Sequence, residues 1–432
     1  MSRLCIFSDC INCLLMSGDI GNRMWKQPAE NSLGALKHGM EFSDGIEFDL
    51  RMNADEELVI FHDEFIPGSG PIKPRCIENM YTDELQKLGV LTFDELVNDM
   101  DFLDSWKSGS KTVDIEIKMP HPTVGKNDDD YLKSVMDRIS SMTGDVELPS
   151  RSTIVSSFSP RLCVVSKSIE FDFAVTQLVP KIRPWGRYWR VKRAFAIPQF
   201  VMTSVPYIAK KFRSEGMSSI GMALEYLKGW EKYTRFGPKV GLEGKGLEKL
   251  HKSLRGMGVF VWPGPLDLED SLINAGVSIV SDNMNPDVVT KPDGSYRWPR
   301  PASQPLDEEW ENRLSSSTLL ERSDLIKEAG ESLPSWAELG TKRKADIIAD
   351  QGRRMLWEGS EESWNRDHEN GIPWGSPRII GHRGLARVTA GRLFFCLSIN
   401  FFFTVFPGKL RNCHLFIWSK RCCQLGAGQT KL

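Results

Sequence analysis

Net charge is nearly absent from this chain: Lys and Arg number 55, Asp and Glu 57, and the formal balance over 432 residues is −2. No general basic surplus is left for nucleic acid, which we exclude as the main partner. Cysteine is sparse and irregular. The nine cysteines include Cys5, Cys10 and Cys13 near the start and Cys396, Cys413, Cys422 and Cys423 near the end. An odd number at such spacing argues against a disulfide framework. Without two Cys-x-x-Cys pairs a zinc ribbon is excluded as well. We read the cysteines as reduced thiols and place the chain in the cytoplasm. Long apolar runs are also missing. Leu393–Phe406 is interrupted by Ser398, Asn400 and Thr404 and falls short of the roughly 20 residues of a spanning helix. Residues 1–16, with Arg3 and an apolar run broken by Asp9, form a leader that lacks the pattern of a signal peptide. Finally, Gly21-Asn22-Arg23-Met24 lacks the glycines of a dinucleotide-type phosphate loop, which disfavours a doubly wound open sheet.

What the sequence does contain is alternation. Short β-like runs occur at Asp44–Leu50, Leu58–His62, Thr112–Lys118, Ser152–Ser156, Phe173–Leu178, Met257–Trp262 and Val277–Ser281. Helical patterns lie between several of them: Asn31–Met40 after Pro28, Thr92–Met100 with a Thr92/Glu95 capping signal, and Leu247–Arg255 before Gly256. Over 17–290 this predicts an α/β fold, a (β/α)8 barrel of the TIM type. Residues 291–376 read as a linker and a charged helical connector, a C-terminal helical appendage, with helices over Glu308–Arg322 and Thr341–Trp357.

In Gly45-Ile46-Glu47-Phe48-Asp49-Leu50, strand alternation puts Ile46, Phe48 and Leu50 on one face and Glu47 and Asp49 on the other. In a barrel that second face points inward, where two carboxylates are costly unless a cation compensates them. Mg²⁺ or Ca²⁺ suits such hard oxygen ligands; the alternative is a solvated edge strand. Leu58–Phe61 runs into His62-Asp63, so His62 is expected at the C-terminal end of a barrel strand, where active sites gather. Thr112–Lys118 alternates again and offers Glu116 as a third carboxylate. Lys118 can meet a phosphate oxygen or pair with Glu116.

Taken in order, Pro28-Ala29-Glu30-Asn31-Ser32, Glu47-Phe48-Asp49, His62-Asp63, Glu116-Ile117-Lys118, Ser156-Ser157-Phe158, Trp262-Pro263 and Ser281-Asp282 resemble the glycerophosphodiester phosphodiesterase family, whose barrel belongs with the phosphatidylinositol-specific phospholipases. The resemblance covers roughly Gly18 to Val289. It implies a metal-dependent hydrolase that releases glycerol 3-phosphate and an alcohol from glycerophosphodiesters, in lipid metabolism. It further implies Glu47, Asp49 and Glu116 as metal ligands, Arg23 as phosphate ligand with Lys118 assisting, and His62 as one of two acid/base histidines.

The pattern breaks at Asn22, which stands where the family carries its first catalytic histidine, and at Met24, where it carries glycine. An amide does not move protons near neutral pH, and one lost acid/base group costs about 10²–10⁴ in rate. The chain then reads as an enzyme relying on His62, as a non-catalytic relative that binds phosphodiesters or anionic membranes, or as a site filled by another group. The missing motif recurs whole in Arg378–Gly384, with His382-Arg383-Gly384. We read 377–432 as the truncated start of a second domain with an apolar tail; a strand that docks into the barrel and supplies His382 is the other reading. Lys181–Arg213 holds nine Lys/Arg and no acid among aromatics such as Trp185, Trp189 and Phe195, which suits peripheral contact with an anionic membrane.

Overall fold

Every residue of Gly45–Met52 is buried, on both faces of the strand. Ile46, Phe48 and Leu50 pack among Leu36, Met40 and Phe93 on the helical side, while Glu47 and Asp49 face the other way. The computed structural model describes residues 28–66, 74–179, 204–228, 239–356 and 371–384. Its strands are β1 (Gly45–Met52), β2 (Leu58–Ile60), β3 (Phe65–Ile66), β4 (Arg75–Cys76), β5 (Leu91–Thr92), β6 (Thr112–Ile117), β7 (Thr153–Ser157), β8 (Ala174–Val179), β9 (Ser219–Ala223), β10 (Gly258–Trp262), β11 (Ser278–Ser281) and β12 (Ile379–Gly381). β1 and β6 to β12 form a closed ring of eight strands, each parallel to both neighbours. Helices lie between strands, as in a (β/α)8 barrel.

Two strands depart from expectation. β2 is not a barrel strand. It runs antiparallel to the end of β1, with Leu50 opposite Ile60 and Met52 opposite Leu58, and then pairs with β5. A parallel return needs a crossover of a dozen residues or more. Residues 53–57 form only a tight turn, in which Asn53 Oδ1 accepts from the N–H of Asp55 and Glu57.

The second departure closes the ring. Ile379–Gly381 is not the start of a separate domain but lies between β11 and β1, with Ile380 opposite both Gly45 and Val280. Edge strands on both sides offer unpaired N–H and C=O groups, which this short strand satisfies. Ile380 points inward into a layer with Ile154, Phe260, Val280 and Trp374. Ile379 points outward into the core shared with the helices.

The connector therefore joins the seventh and eighth barrel strands. Its helices are Glu308–Ser316, Leu319–Ser332 and Thr341–Arg354. The break within the expected Glu308–Arg322 helix falls before Thr318, which forms a capping box with Glu321. Likewise Thr92–Met100 divides into Phe93–Val97, capped by Thr92, and Met100–Lys107, capped by Asp99. The leader, Asn22, Arg23, most of 181–213 and the 393–432 tail lie outside the described residues. Among the described residues, no helix is long and apolar enough to cross a membrane.

Candidate active site

Parallel register sets Asp49 of β1 opposite Glu116 of β6. With Glu47, they bring carboxylate oxygens within 4.8 Å of one another, all three residues buried. Three buried like charges need compensation. Lys118 Nζ lies 2.9 Å from Asp49 Oδ1 and 2.5 Å from Glu116 Oε1. Arg383 Nε lies 3.4 Å from Asp49 Oδ2, and Asn31 Nδ2 donates to the same oxygen at 2.9 Å. Burial works against ionisation of Asp49, yet Lys118, His62 and Arg383 hold its carboxyl well below the usual range. Glu47 goes the other way: burial, then Asp49 and Glu116, push it well above the usual range. Asp114, on the same face of β6, is pushed up to about 7, first by burial and then by Glu116 and Asp49. Glu47 Oε1 is buried and has no hydrogen-bond partner. An orphaned oxygen beside two further carboxylates is the donor set a hard divalent cation would satisfy.

The turn after β12 completes this cluster. Arg383 and Gly384 both adopt positive φ, 53° and 78°. The Arg383 N–H donates to Glu47 Oε2 at 2.9 Å, and the Gly384 N–H to the Glu47 carbonyl at 3.1 Å. Glu30 Oε2 accepts from Arg383 Nη1 at 2.9 Å, and the Asn31 N–H donates to the Arg383 carbonyl. His382 Nδ1 is paired with Asp282 Oδ1 at 2.5 Å, which leaves Nε2 facing the carboxylates, 3.8 Å from Glu47 Oε2.

His62 sits on the rim just beyond β2, its Nδ1 2.7 Å from Asp63 Oδ1 and its side chain one-third exposed. Its backbone is clamped from below. Arg51 Nη2 donates to the His62 carbonyl at 3.1 Å, and Nη1 to the Met119 carbonyl at 3.2 Å and to Glu78 Oε1 at 2.8 Å. Arg51 and Glu78 are both buried. Across the mouth, Phe158 after β7 meets Trp262 of β10 edge to face, ring centres 5.7 Å apart.

Of the residues singled out from sequence, Glu47, Asp49, Glu116 and Lys118 lie in one cluster, and His62 lies on the rim beside Asp63. Lys118 is engaged by Asp49 as well as by Glu116. Asn22 and Arg23 fall outside the described residues. Sequence reasoning gave no role to Glu30, Asn31, Arg51, Asp282 or Arg383. The ordered motifs around Glu30-Asn31, Ser281-Asp282 and His382-Arg383-Gly384 held the signal for four of these. For Arg51 only the inward phase of β1 could have given it.

Residues 19–216 match the Glycerophosphoryl diester phosphodiesterase family. No curated protein matches the chain. Among solved structures, the chain is similar to a glycerophosphodiester phosphodiesterase from Thermotoga maritima, with 17% identity, 59% of this chain and 88% of that one covered, and a TM-score of 0.38. Another from Parabacteroides distasonis has 17% identity, 61% and 90% coverage and a TM-score of 0.40. A phosphodiesterase from Oleispira antarctica, solved with the product sn-glycerol-3-phosphate, has 15% identity, 59% and 88% coverage and a TM-score of 0.37.

Proposed function

We infer, for a chain whose residues 19–216 match the glycerophosphodiester phosphodiesterase family, that Glu47, Asp49 and Glu116 bind Mg²⁺ or Ca²⁺ and that His382, with His62, does the proton chemistry. That match supports a phosphoric diester hydrolase acting on glycerophosphodiesters. The observation that carries the site assignment is the His382-Arg383-Gly384 turn seated on Glu47.

A divalent cation held by the three carboxylates would neutralise charge on the phosphoryl oxygens and orient the diester. Arg383, beside Asp49, takes the phosphate-binding part expected of Arg23, and Lys118 assists. Both imidazoles have Nδ1 engaged by an aspartate, Asp282 for His382 and Asp63 for His62, so Nε2 is the working atom in each. One imidazole accepts the proton of a glycerol hydroxyl as its oxygen attacks phosphorus. The bond from phosphorus to the leaving alcohol breaks, and that oxygen takes a proton from the other imidazole. Water then opens the cyclic phosphate with the two roles exchanged, giving glycerol 3-phosphate. The non-catalytic reading rested on Asn22, and His382 beside Glu47 removes that ground. We keep the chain in the cytoplasm with anionic lipid as peripheral partner of 181–213. The helix Val205–Ser214 supports this, with basic Lys211 and Arg213 in its last turn and an exposed Tyr207.

The test is release of glycerol 3-phosphate from glycerophosphocholine by the full chain. EDTA and Glu47→Gln are expected to abolish it. His382→Ala and His62→Ala should each lower kcat by about 10²–10⁴, and Asn22→Ala should leave it unchanged. Full turnover in His382→Ala together with its loss in Asn22→Ala would overturn the assignment.

A further inference from the structure

The terminal strand is also held at the end of the barrel away from the carboxylates, by groups that the reaction does not use. Asp44, immediately before β1, is buried, and its carboxylate joins three segments. Oδ1 accepts from the N–H of Ala302 at 3.0 Å and of Ser303 at 2.6 Å, both in the connector. Oδ2 accepts from the N–H of Ile379, the first residue of β12, at 2.9 Å. Arg378, one residue earlier, is wholly buried. Its guanidinium donates to the carbonyls of Ile372, Pro373 and Ser376 and, through Nε, to Thr112 Oγ1 of β6. Its own N–H donates to Ser278 Oγ of β11.

β12 is three residues long, so its ladder alone holds it by few bonds, and hydrogen bonds to charged groups are the stronger kind. His382 follows it directly, and the next two N–H groups close on Glu47. A shift of the strand therefore moves His382 and releases Glu47 together. We propose that Asp44 and Arg378 are positioning residues of the active site: they lock the terminal strand and the connector against the barrel, and through that strand set His382 and the Glu47 carboxylate. The proposal rests on the reading of His382 and Glu47 given above, and concerns how they are held.

The test uses the full chain with Asp44→Asn, which keeps one acceptor and turns an amide N–H₂ toward a donor, and with the milder Thr112→Val. Hydrogen exchange is followed at 379–384 and, for reference, at β7; calorimetry measures Mg²⁺ affinity, and kinetics separate kcat from KM. In Asp44→Asn, exchange at 379–384 is expected to quicken on the order of tenfold or more, with β7 unchanged. Mg²⁺ binding weakens and kcat falls more than KM rises. Thr112→Val gives the same pattern at smaller size, and decides the matter if Asp44→Asn does not fold. Unchanged exchange at 379–384, exchange quickened equally throughout the barrel, or local quickening with Mg²⁺ affinity intact would each overturn the proposal. A wild type without turnover counts against the proposed reaction, while exchange and Mg²⁺ affinity still decide the roles of Asp44 and Arg378.

Discussion

The backbone N–H of Arg383 donates to Glu47 Oε2 at 2.9 Å across 336 positions of chain. One oxygen of that carboxylate is thus fixed by the turn that carries His382, while the other stays without a partner. The candidate metal ligand and the histidine turn form a single construction, and changes in either should be felt in both.

Gly384 is a tight point of that construction. Its φ is 78°, and a Cβ there would lie 2.5 Å from the Ala35 backbone. We expect Gly384→Ala to cost at least about 1–3 kcal/mol in strain and overlap and to suppress turnover. Gly294 also has positive φ, 86°, but open space around its Cβ position. Gly294→Ala should therefore cost less, about 1 kcal/mol, and leave activity intact. Urea unfolding and product assays of the two variants make the comparison; equal effects would show that the close approach to Ala35 does not matter.

Arg51 and Glu78 form a buried ion pair whose guanidinium also holds the His62 and Met119 carbonyls. Arg51→Met strands the Glu78 carboxylate and should destabilise by about 3–5 kcal/mol. The double variant Arg51→Met/Glu78→Met removes both charges and should recover much of that stability. Turnover should not recover with it, because the loops bearing His62 and Lys118 stay unheld. Recovery of both together in denaturation and kinetic measurements would assign the pair to stability alone.

His38 packs at a tilt against Phe42, ring centres 4.2 Å apart. Burial pushes its imidazole from 6.5 down to about 4, with a hydrogen bond to the Met284 backbone working against the shift. The unfolded chain takes up this proton near pH 6.5 and the folded chain only near 4. The unfolded state therefore binds more protons in that window, and stability falls as pH drops through it. Wild type should lose more stability than His38→Gln between pH 7 and pH 4.5. Parallel loss in urea titrations of the two proteins would reject the assignment.

The site was legible in sequence wherever charge interrupts an apolar strand at period two. Glu47, Asp49 and Glu116 stand out because a strand buried on both faces has no other use for carboxylates at those phases. His62 was placed on the wrong kind of strand, since alternation looks alike in parallel and antiparallel strands and only the short 53–57 turn tells them apart. β9 escaped notice because Ser-Ile-Gly-Met-Ala carries a single β-branched residue. β12 was legible only as the alternative to a truncated second domain, for a topological reason. A closed ring has no first member, so a strand carrying His-Arg-Gly can stand before the series or after it and meet the same neighbours, β11 and β1.

That position also sets a schedule for folding during synthesis. Until residue 381 has emerged from the ribosome, a nascent sheet can hold at most seven of the ring strands and lacks the strand that pairs with both β1 and β11. Open edges are templates for pairing with other chains, and incomplete barrels are the species on which chaperones act. Hydrolytic competence would then arrive late and all at once, with the strand that seals those edges, so that a nascent chain is inert until it is also protected.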